Sequence, residues 1–268
     1  MSVGSLKHIS CLPPLTGITR DLIEALNKCD REVDIQKLVI LIESDPPLAA
    51  KILSMANSAM FNTGKDIILL QDAVIRLGMQ STKGLIISIS LSGMFDTRLC
   101  PLFEPKRYWC DALTTALYAR KLAVSLGRTE QAEKAYLMGL LNRIGLYVLV
   151  YLLPQEMIEV FNRFNQRAAP LSVLECETLS LDHYKAGQQL LSVWSLPQEI
   201  IDSCQPGGTV LCEDLQASRY LVALAKGVIE GMSEEALPDG LNQDQIDHLK
   251  HSSARELERL QEMVQLVI

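Results

Sequence analysis

Aromatic residues are scarce in this chain of 268 residues, where Phe, Trp and Tyr together make up only 5% of the sequence. Hydrophobic residues as a whole make up 48%, so the apolar content comes mainly from Leu, Ile, Ala and Val. That bias favours helices packed against helices. We find no stretch with the strict alternation of apolar and polar residues that marks a half-buried strand. The sequence therefore predicts an all-α fold, with enough residues for about two domains.

Closely spaced cysteine pairs are absent from the sequence. The seven cysteines are scattered, and none belongs to a Cys-x-x-Cys pair. This distribution argues against a zinc knuckle or a disulfide framework and favours reduced thiols in a cytosolic protein. The amino terminus lacks the charged and then apolar pattern of a secretory signal. The longest apolar run, residues 144–153, is much shorter than the roughly 18 residues that a membrane span needs. We therefore expect a cytoplasmic protein with no membrane partner.

Basic residues are fewer than acidic residues. The chain has 25 Lys and Arg residues against 32 Asp and Glu residues, which gives a net charge of −7 and a pI near 5.2. Proteins that bind broadly to DNA or RNA concentrate Lys and Arg on one surface. We therefore do not expect nucleic acid as a partner.

Several residues mark the ends of predicted helices. Asp45 can cap a helix whose first residue is Pro46, where the missing N–H costs nothing. Gly78 suits the backbone position just past the end of a helix. Asn242-x-x-Gln245 and Ser253-x-x-Glu256 both match the capping-box pattern and predict the starts of two last, short helices.

A break in the helical pattern divides the chain. Two prolines over residues 100–105 favour a loop, and we place the domain boundary there. We expect the second domain to contain a helix over 111–126 and a later helix over 213–230.

The centre of the second domain is a heptapeptide bracketed by two glycines. Residues 139–145 read Gly-Leu-Leu-Asn-Arg-Ile-Gly. In this context the heptapeptide resembles the Gly-Leu-Leu-His-Asp-Ile-Gly motif of the HD-domain metal hydrolases. The His-Asp pair is replaced by Asn142 and Arg143.

Further segments, in order and with matching spacing, resemble the HDOD family, a branch of the HD superfamily found in bacterial signalling proteins. The segments that carry this resemblance are residues 12–15, 42–48, 53–59, 73–78, Trp109 with the helix after it, 139–145 and 182–197. They span about three quarters of the chain. The resemblance implies an N-terminal helical bundle over 1–104 packed on an HD-like helical domain with a C-terminal helical extension over 105–268. It also leads us to expect any sensor or output domain on another polypeptide.

The resemblance also assigns the positions of the old metal ligands. In HD hydrolases, clustered His and Asp side chains hold divalent metals, which acidify a bound water and stabilise charge on a phosphoryl group. Asn is at best a weak neutral ligand, and Arg is a permanent cation that cannot coordinate a metal. We therefore predict no metal, no other cofactor and no catalytic residue. The degenerate positions, which could form a ligand groove, are Asp111, Asn142, Arg143, His183, Cys204 and Gln205.

Each surviving candidate ligand also has a purely structural interpretation. His183 could be a satisfied core histidine, and Asp111 could be a carboxylate near a helix N-terminus that the helix dipole stabilises. Asp111 could also form an ion pair with Arg143 across the groove. His248 and His251 share a helical face, a spacing that zinc can use, but no third ligand is near them in sequence. We interpret that pair as solvent-exposed.

Three functional hypotheses follow. The first is a non-catalytic regulatory or scaffold module in bacterial signal transduction that binds a signalling protein, or a nucleotide. The second is a metal-dependent phosphohydrolase that acts on a nucleotide or cyclic dinucleotide. The third is a sensor in which Arg143 binds a small anion in the vacated groove. A homodimer is compatible with each of them.

Overall fold

The computed structural model describes residues 14–15, 17–27, 35–58, 61, 66–166, 169–205 and 243–268. Over these ranges the chain forms helices joined by short loops, with no strand. The all-α prediction is confirmed. In chain order the helices are α1 (Gly17–Asn27), α2 (Ile35–Glu43), α3 (Pro46–Ala56), α4 (Leu70–Leu77), α5 (Met79–Met94), α6 (Pro105–Ser125), α7 (Ala132–Leu141), α8 (Gly145–Leu152), α9 (Pro154–Asn165), α10 (Leu171–Leu179), α11 (His183–Val193), α12 (Gln198–Ile201) and α13 (Gln243–Val267).

Local capping chemistry sets the start of α3 as the sequence predicts. The Asp45 carboxylate accepts a hydrogen bond from the backbone N–H of Leu48 at 3.1 Å, and Pro46 is the first helical residue. Such a cap stabilises a helix by about 1 kcal/mol. Gly78, just past α4, has a φ of 89° as its predicted position requires.

The first helix of the second half begins earlier than the sequence pattern indicates. Helix α6 starts at Pro105 and not at Asp111. Proline is well tolerated at the first position of a helix. Asp111 is therefore in the second turn of α6, beyond the first-turn N–H groups where the helix dipole acts most strongly. The interpretation of Asp111 as a helix-terminal carboxylate is wrong for this reason.

The few aromatic residues of the chain are concentrated beside α6. Seven of the 14 form one connected network of ring contacts. Tyr147 is at its centre, with ring centroids 4.8 Å from Tyr108, 4.9 Å from Phe103 and 5.6 Å from Trp109. Edge-on ring contacts of this kind add to the stabilisation from burial. Three rings of this network, those of Phe103, Tyr108 and Phe161, line the candidate site described below.

The C-terminal helix is one long element and not two short ones. Helix α13 has 25 residues and packs along α6, with further contacts to α3 and α5. Ser253, the predicted start of a last helix, lies in its interior and is buried, with its Oγ donating to the carbonyl of Leu249 at 2.6 Å. His248 and His251 are exposed. The predicted helix over 213–230 lies outside the described residues, and the division at 104/105 stays a prediction.

One stretch, Thr129–Leu152, is long and apolar enough to cross a membrane by length and composition alone. It contains α7 and α8 with a turn between them, and 83% of its most apolar window is buried inside the protein. Burial of this extent is typical of a core element.

Candidate functional site

The replaced His-Asp pair lies in the tight turn between α7 and α8. The turn closes through a hydrogen bond from the N–H of Ile144 to the carbonyl of Leu141 at 3.0 Å. Asn142 is almost fully buried, with 3% of its surface exposed, and its Nδ2 has no hydrogen-bond partner among the described residues. Arg143 is half-buried, and its enclosed Nε likewise finds no partner in the described part of the chain. The turn thus presents an amide and a permanent cation.

His183 is held by a buried carboxylate that was not among the residues predicted from the sequence. Its ring Nδ1 lies 2.6 Å from Oε2 of Glu175, and its backbone N–H donates to the same oxygen at 2.9 Å. Glu175 has no exposed surface, and His183 has 2%. Asp182 caps α11 by accepting from the N–H of Lys185 at 2.8 Å. His183 is therefore a core histidine that is satisfied at Nδ1 only, because its buried Nε2 has no partner among the described residues.

A sequence signal for Glu175 does exist. It lies four residues after Leu171 and four before Leu179, so it occupies the apolar stripe of α10, where a carboxylate is out of place. Ser180, with a φ of 59°, then turns the chain back so that α11 begins beside this carboxylate. A buried acid close to a histidine in sequence would have been a reasonable candidate pair.

Two glycines let the helices of the site approach each other closely. A Cβ on Gly145 would overlap the carbonyl oxygen of His183 and the backbone nitrogen of Gly187. Backbone thus contacts backbone where α8 meets α11. The second glycine, Gly139, does the same for α6, since its Cβ would lie 2.7 Å from Cα of Ala116. The glycine brackets of the heptapeptide therefore mark two helix crossings that fix the position of the turn between them.

Cys204 and Gln205 have different environments. Cys204 is fully buried, and its Sγ donates to the carbonyl of Leu141 at 3.5 Å, beside the replaced pair. Gln188 anchors this segment by donating to the Cys204 carbonyl at 2.9 Å. Gln205 is exposed at the surface. The structure thus brings Cys204 to the end of α7 as a packing residue.

Asp111 and Arg143 line one cavity of about 380 Å³, which we call the aromatic cavity. They do not form the predicted ion pair, since none of the salt bridges among the described residues joins them. Partial desolvation raises the pKa of Asp111, and the charges of Arg143 and Arg107 oppose that rise. Burial likewise raises the pKa of Tyr108 well above its ordinary value, with Arg143 again opposing. The charge of Arg143 therefore offsets part of the pKa rise that burial causes in Asp111 and Tyr108.

The side chains present do not fit an HD-type metal centre. No three His, Cys, Asp or Glu residues in the described ranges are grouped so that they could hold one ion. Nε2 of His183 is the one ring nitrogen left for a metal, since Nδ1 contacts Glu175, and the turn supplies the cation of Arg143 where the resemblance would place a carboxylate. No reaction step through a metal follows from this arrangement.

Fold and site together define a class: an all-helical, HD-like protein in which most positions of the metal ligands carry other residues. The HDOD domain family matches residues 12–206, and the chain belongs to that family. The resemblance inferred from the sequence segments is confirmed.

Solved structures of bacterial proteins share this fold. A candidate signal transduction protein from Marinobacter aquaeolei VT8 has a TM-score of 0.79 at 23% identity, over 96% of this chain and 60% of that one. An HDOD domain protein with unknown function from Geobacter sulfurreducens has a TM-score of 0.72 at 20% identity, over 94% and 93% of the two chains. A candidate phosphohydrolase from Shewanella amazonensis SB2B has a TM-score of 0.64 at 21% identity, over 100% and 99%. At these identities the similarity establishes the fold.

A relative by sequence is an uncharacterised protein of Treponema pallidum (strain Nichols), 26% identical over 196 residues. The match covers 73% of this chain and 37% of the relative. The chain thus spans little more than a third of that protein's length.

Proposed function

We propose that this protein is a non-catalytic regulatory module of bacterial signal transduction that acts in the cytoplasm by binding a signalling protein. The observation that carries the proposal is the turn at Asn142 and Arg143, which supplies an amide and a guanidinium in place of the two metal ligands of an HD hydrolase. Family membership and the fold of the bacterial relatives are consistent with a signalling role.

Electrostatics supports the non-catalytic part of the proposal. A divalent ion placed beside Arg143 would meet a fixed positive charge in a partly desolvated groove, where charge–charge energies exceed those in water several-fold. Arg keeps its proton at any pH that a protein tolerates, so the groove cannot relieve this repulsion by deprotonation. Among the degenerate ligand positions, Asp111 is the one that carries a carboxylate, whereas a metal site needs several converging ligands.

The alternative is a metal-dependent phosphohydrolase with an unusual ligand set. The likeness to the candidate phosphohydrolase from Shewanella amazonensis brings this alternative forward, although it rests on fold at 21% identity. The two functions differ in one measurable property, because only the hydrolase needs a bound metal.

Metal content and turnover of the purified full chain test the proposal. We expect less than about a tenth of an equivalent of Fe, Mn or Zn by elemental analysis, and no hydrolysis of bis(p-nitrophenyl) phosphate with added Mn²⁺, because the donor set is insufficient. The variant N142H/R143D, which restores both ligand types, is the comparison, and we expect it to take up more metal than the parent. Stoichiometric metal in the parent, with turnover, would contradict the proposal.

Binding to a signalling protein requires its own test. Affinity capture of the tagged chain, after crosslinking in cells that express it, should enrich a signalling protein over the same capture with an unrelated tagged helical protein. Enrichment of no specific partner would count against the regulatory role. Size-exclusion chromatography with light scattering shows whether the species that binds is a monomer or a homodimer.

A further inference from the structure

The aromatic cavity has a wall suited to a flat, apolar molecule. Phe103 and Phe161 stack with ring centroids 6.3 Å apart and an interplanar angle of 23°. Phe164, which is 43% exposed, lines the same cavity, as does Tyr108. The volume of about 380 Å³ lies at the small end of the usual range for ligand sites, roughly 300–1,000 Å³. The space therefore matches a molecule with one aromatic ring or two fused rings.

The lining of this cavity also includes donors for an anion. Arg143 and Arg107 both line it, and the buried Nε of Arg143 has no partner among the residues that the structure describes. The Tyr108 hydroxyl is also buried, and the described residues provide no partner for it. Buried polar groups are nearly always hydrogen-bonded, and a guanidinium matches phosphate or carboxylate oxygens in geometry and charge. The two arginines on the lining therefore favour a ligand that carries an anionic group.

Two carboxylates on the same lining limit how much negative charge the cavity accepts. Asp111 and Glu104 balance the formal charges of Arg107 and Arg143. A ligand with one anionic group can contact Arg143 while its apolar rings occupy the space beside the carboxylates. A polyanion would bring further charges close to Asp111, and such repulsion discriminates between ligands.

We propose that the aromatic cavity binds a small aromatic molecule carrying a single phosphate or carboxylate group. The inference deepens the proposed function and rests on it, because it assigns the groove beside Arg143 to an organic ligand and not to a catalytic metal. The ligand would contact the α7–α8 turn, α6 and α9 at once. Its occupancy would therefore be sensed by the elements that form the core of the second half of the chain.

Isothermal titration of the full chain with 1-naphthyl phosphate tests the inference. This probe has two fused rings and one phosphate, whereas 1-naphthol lacks the anion and inorganic phosphate lacks the rings. We expect 1-naphthyl phosphate to bind at least about tenfold more tightly than either fragment, since the aromatic and the basic side chains of the lining then both contribute. Equal affinity for the probe and for one of its fragments would overturn the inference.

Single substitutions on the lining assign the binding to this cavity. We expect R143Q to weaken binding about tenfold or more, as loss of a charge-assisted contact does, and R143K to recover part of that loss. D111N should tighten binding of this probe a few-fold, about two to five times, because it removes an opposing charge. The matched control is R128Q, an exposed arginine outside the cavity lining, and its affinity should equal that of the parent. An unchanged affinity in R143Q would overturn the inference.

The same titration separates this inference from the proposed function. Hydrolysis of the probe by water would break its phosphate ester bond and release fluorescent 1-naphthol and inorganic phosphate. Release of 1-naphthol that scales with protein concentration would overturn the non-catalytic function and, with it, the inference. Absence of both binding and release would overturn the inference alone.

Discussion

Replacing Gly145 by alanine is expected to destabilise the protein by about 3 kcal/mol, the upper part of the range for overpacked cores. The added Cβ would overlap the carbonyl oxygen of His183 and the nitrogen of Gly187, and it would lie 2.8 Å from the carbonyl carbon of His183. All three are backbone atoms of α11, so no side-chain rotation can relieve the overlap. Helices α8 and α11 would have to separate, which would also pull apart the turn that carries Arg143.

Gly93 provides the control for the Gly145 substitution. It lies in the last turn of α5 and is exposed, and a Cβ added to it would meet no neighbouring atom within 4 Å. The G93A variant should therefore be as stable as the parent or more stable by up to about 0.5–1 kcal/mol, the value for a helix interior. Urea unfolding followed by circular dichroism measures both variants. A G145A variant as stable as the parent would mean that the two helices are not in backbone contact.

Helix starts that depend on neighbouring residues were predictable from the sequence. The cap at Asp45 requires only its own side chain and a backbone N–H three residues later, and the structure contains that bond at 3.1 Å. Asp182 caps α11 in the same local way. Such interactions close within one helical turn, so the sequence contains all the information that they need.

The Ser253 pattern shows where local signals fail. Ser253-x-x-Glu256 has the right residue types for a helix start, yet the serine hydroxyl bonds back to Leu249 inside a continuous α13. Ile246, Leu249 and Leu260 are buried along this helix. Burying one apolar face along α6 stabilises a long helix more than a cap stabilises a new start.

The candidate site was likewise predictable from the sequence only in part. The glycine-bracketed heptapeptide was visible because its residues are consecutive, and its two brackets prove to be the two close helix crossings. The aromatic cavity was not visible, because Phe103, Phe161 and Arg143 come from separate helices and loops that meet only in the folded chain. Glu175 was not predicted, because the HD motif specifies the metal ligands and not a carboxylate that supports one of them.

Removing one partner of the buried Glu175–His183 pair is expected to lower the free energy of unfolding substantially. In the H183L variant, Oε2 of Glu175 would keep the backbone N–H at 2.9 Å but lose the ring nitrogen at 2.6 Å. The carboxylate would remain fully buried, and its Oε1 already has no partner among the described residues. Breaking a buried pair in this way costs about 3–5 kcal/mol. We expect E175M to cost less, about 1–3 kcal/mol, because it leaves the backbone N–H and the ring nitrogen of His183 without a partner but no buried acid group.

A double-mutant cycle shows whether the two effects arise from one contact. In the H183L/E175M variant no buried carboxylate is left without its ring partner, and apolar side chains of similar size fill the space. The double variant should therefore be more stable than H183L alone, with a coupling free energy of about 1–3 kcal/mol from urea unfolding. If the two single losses simply add, then His183 and Glu175 do not stabilise each other, and the contact at 2.6 Å does not hold the imidazole in place. A large coupling would instead show that the buried carboxylate fixes the orientation of the imidazole in the core.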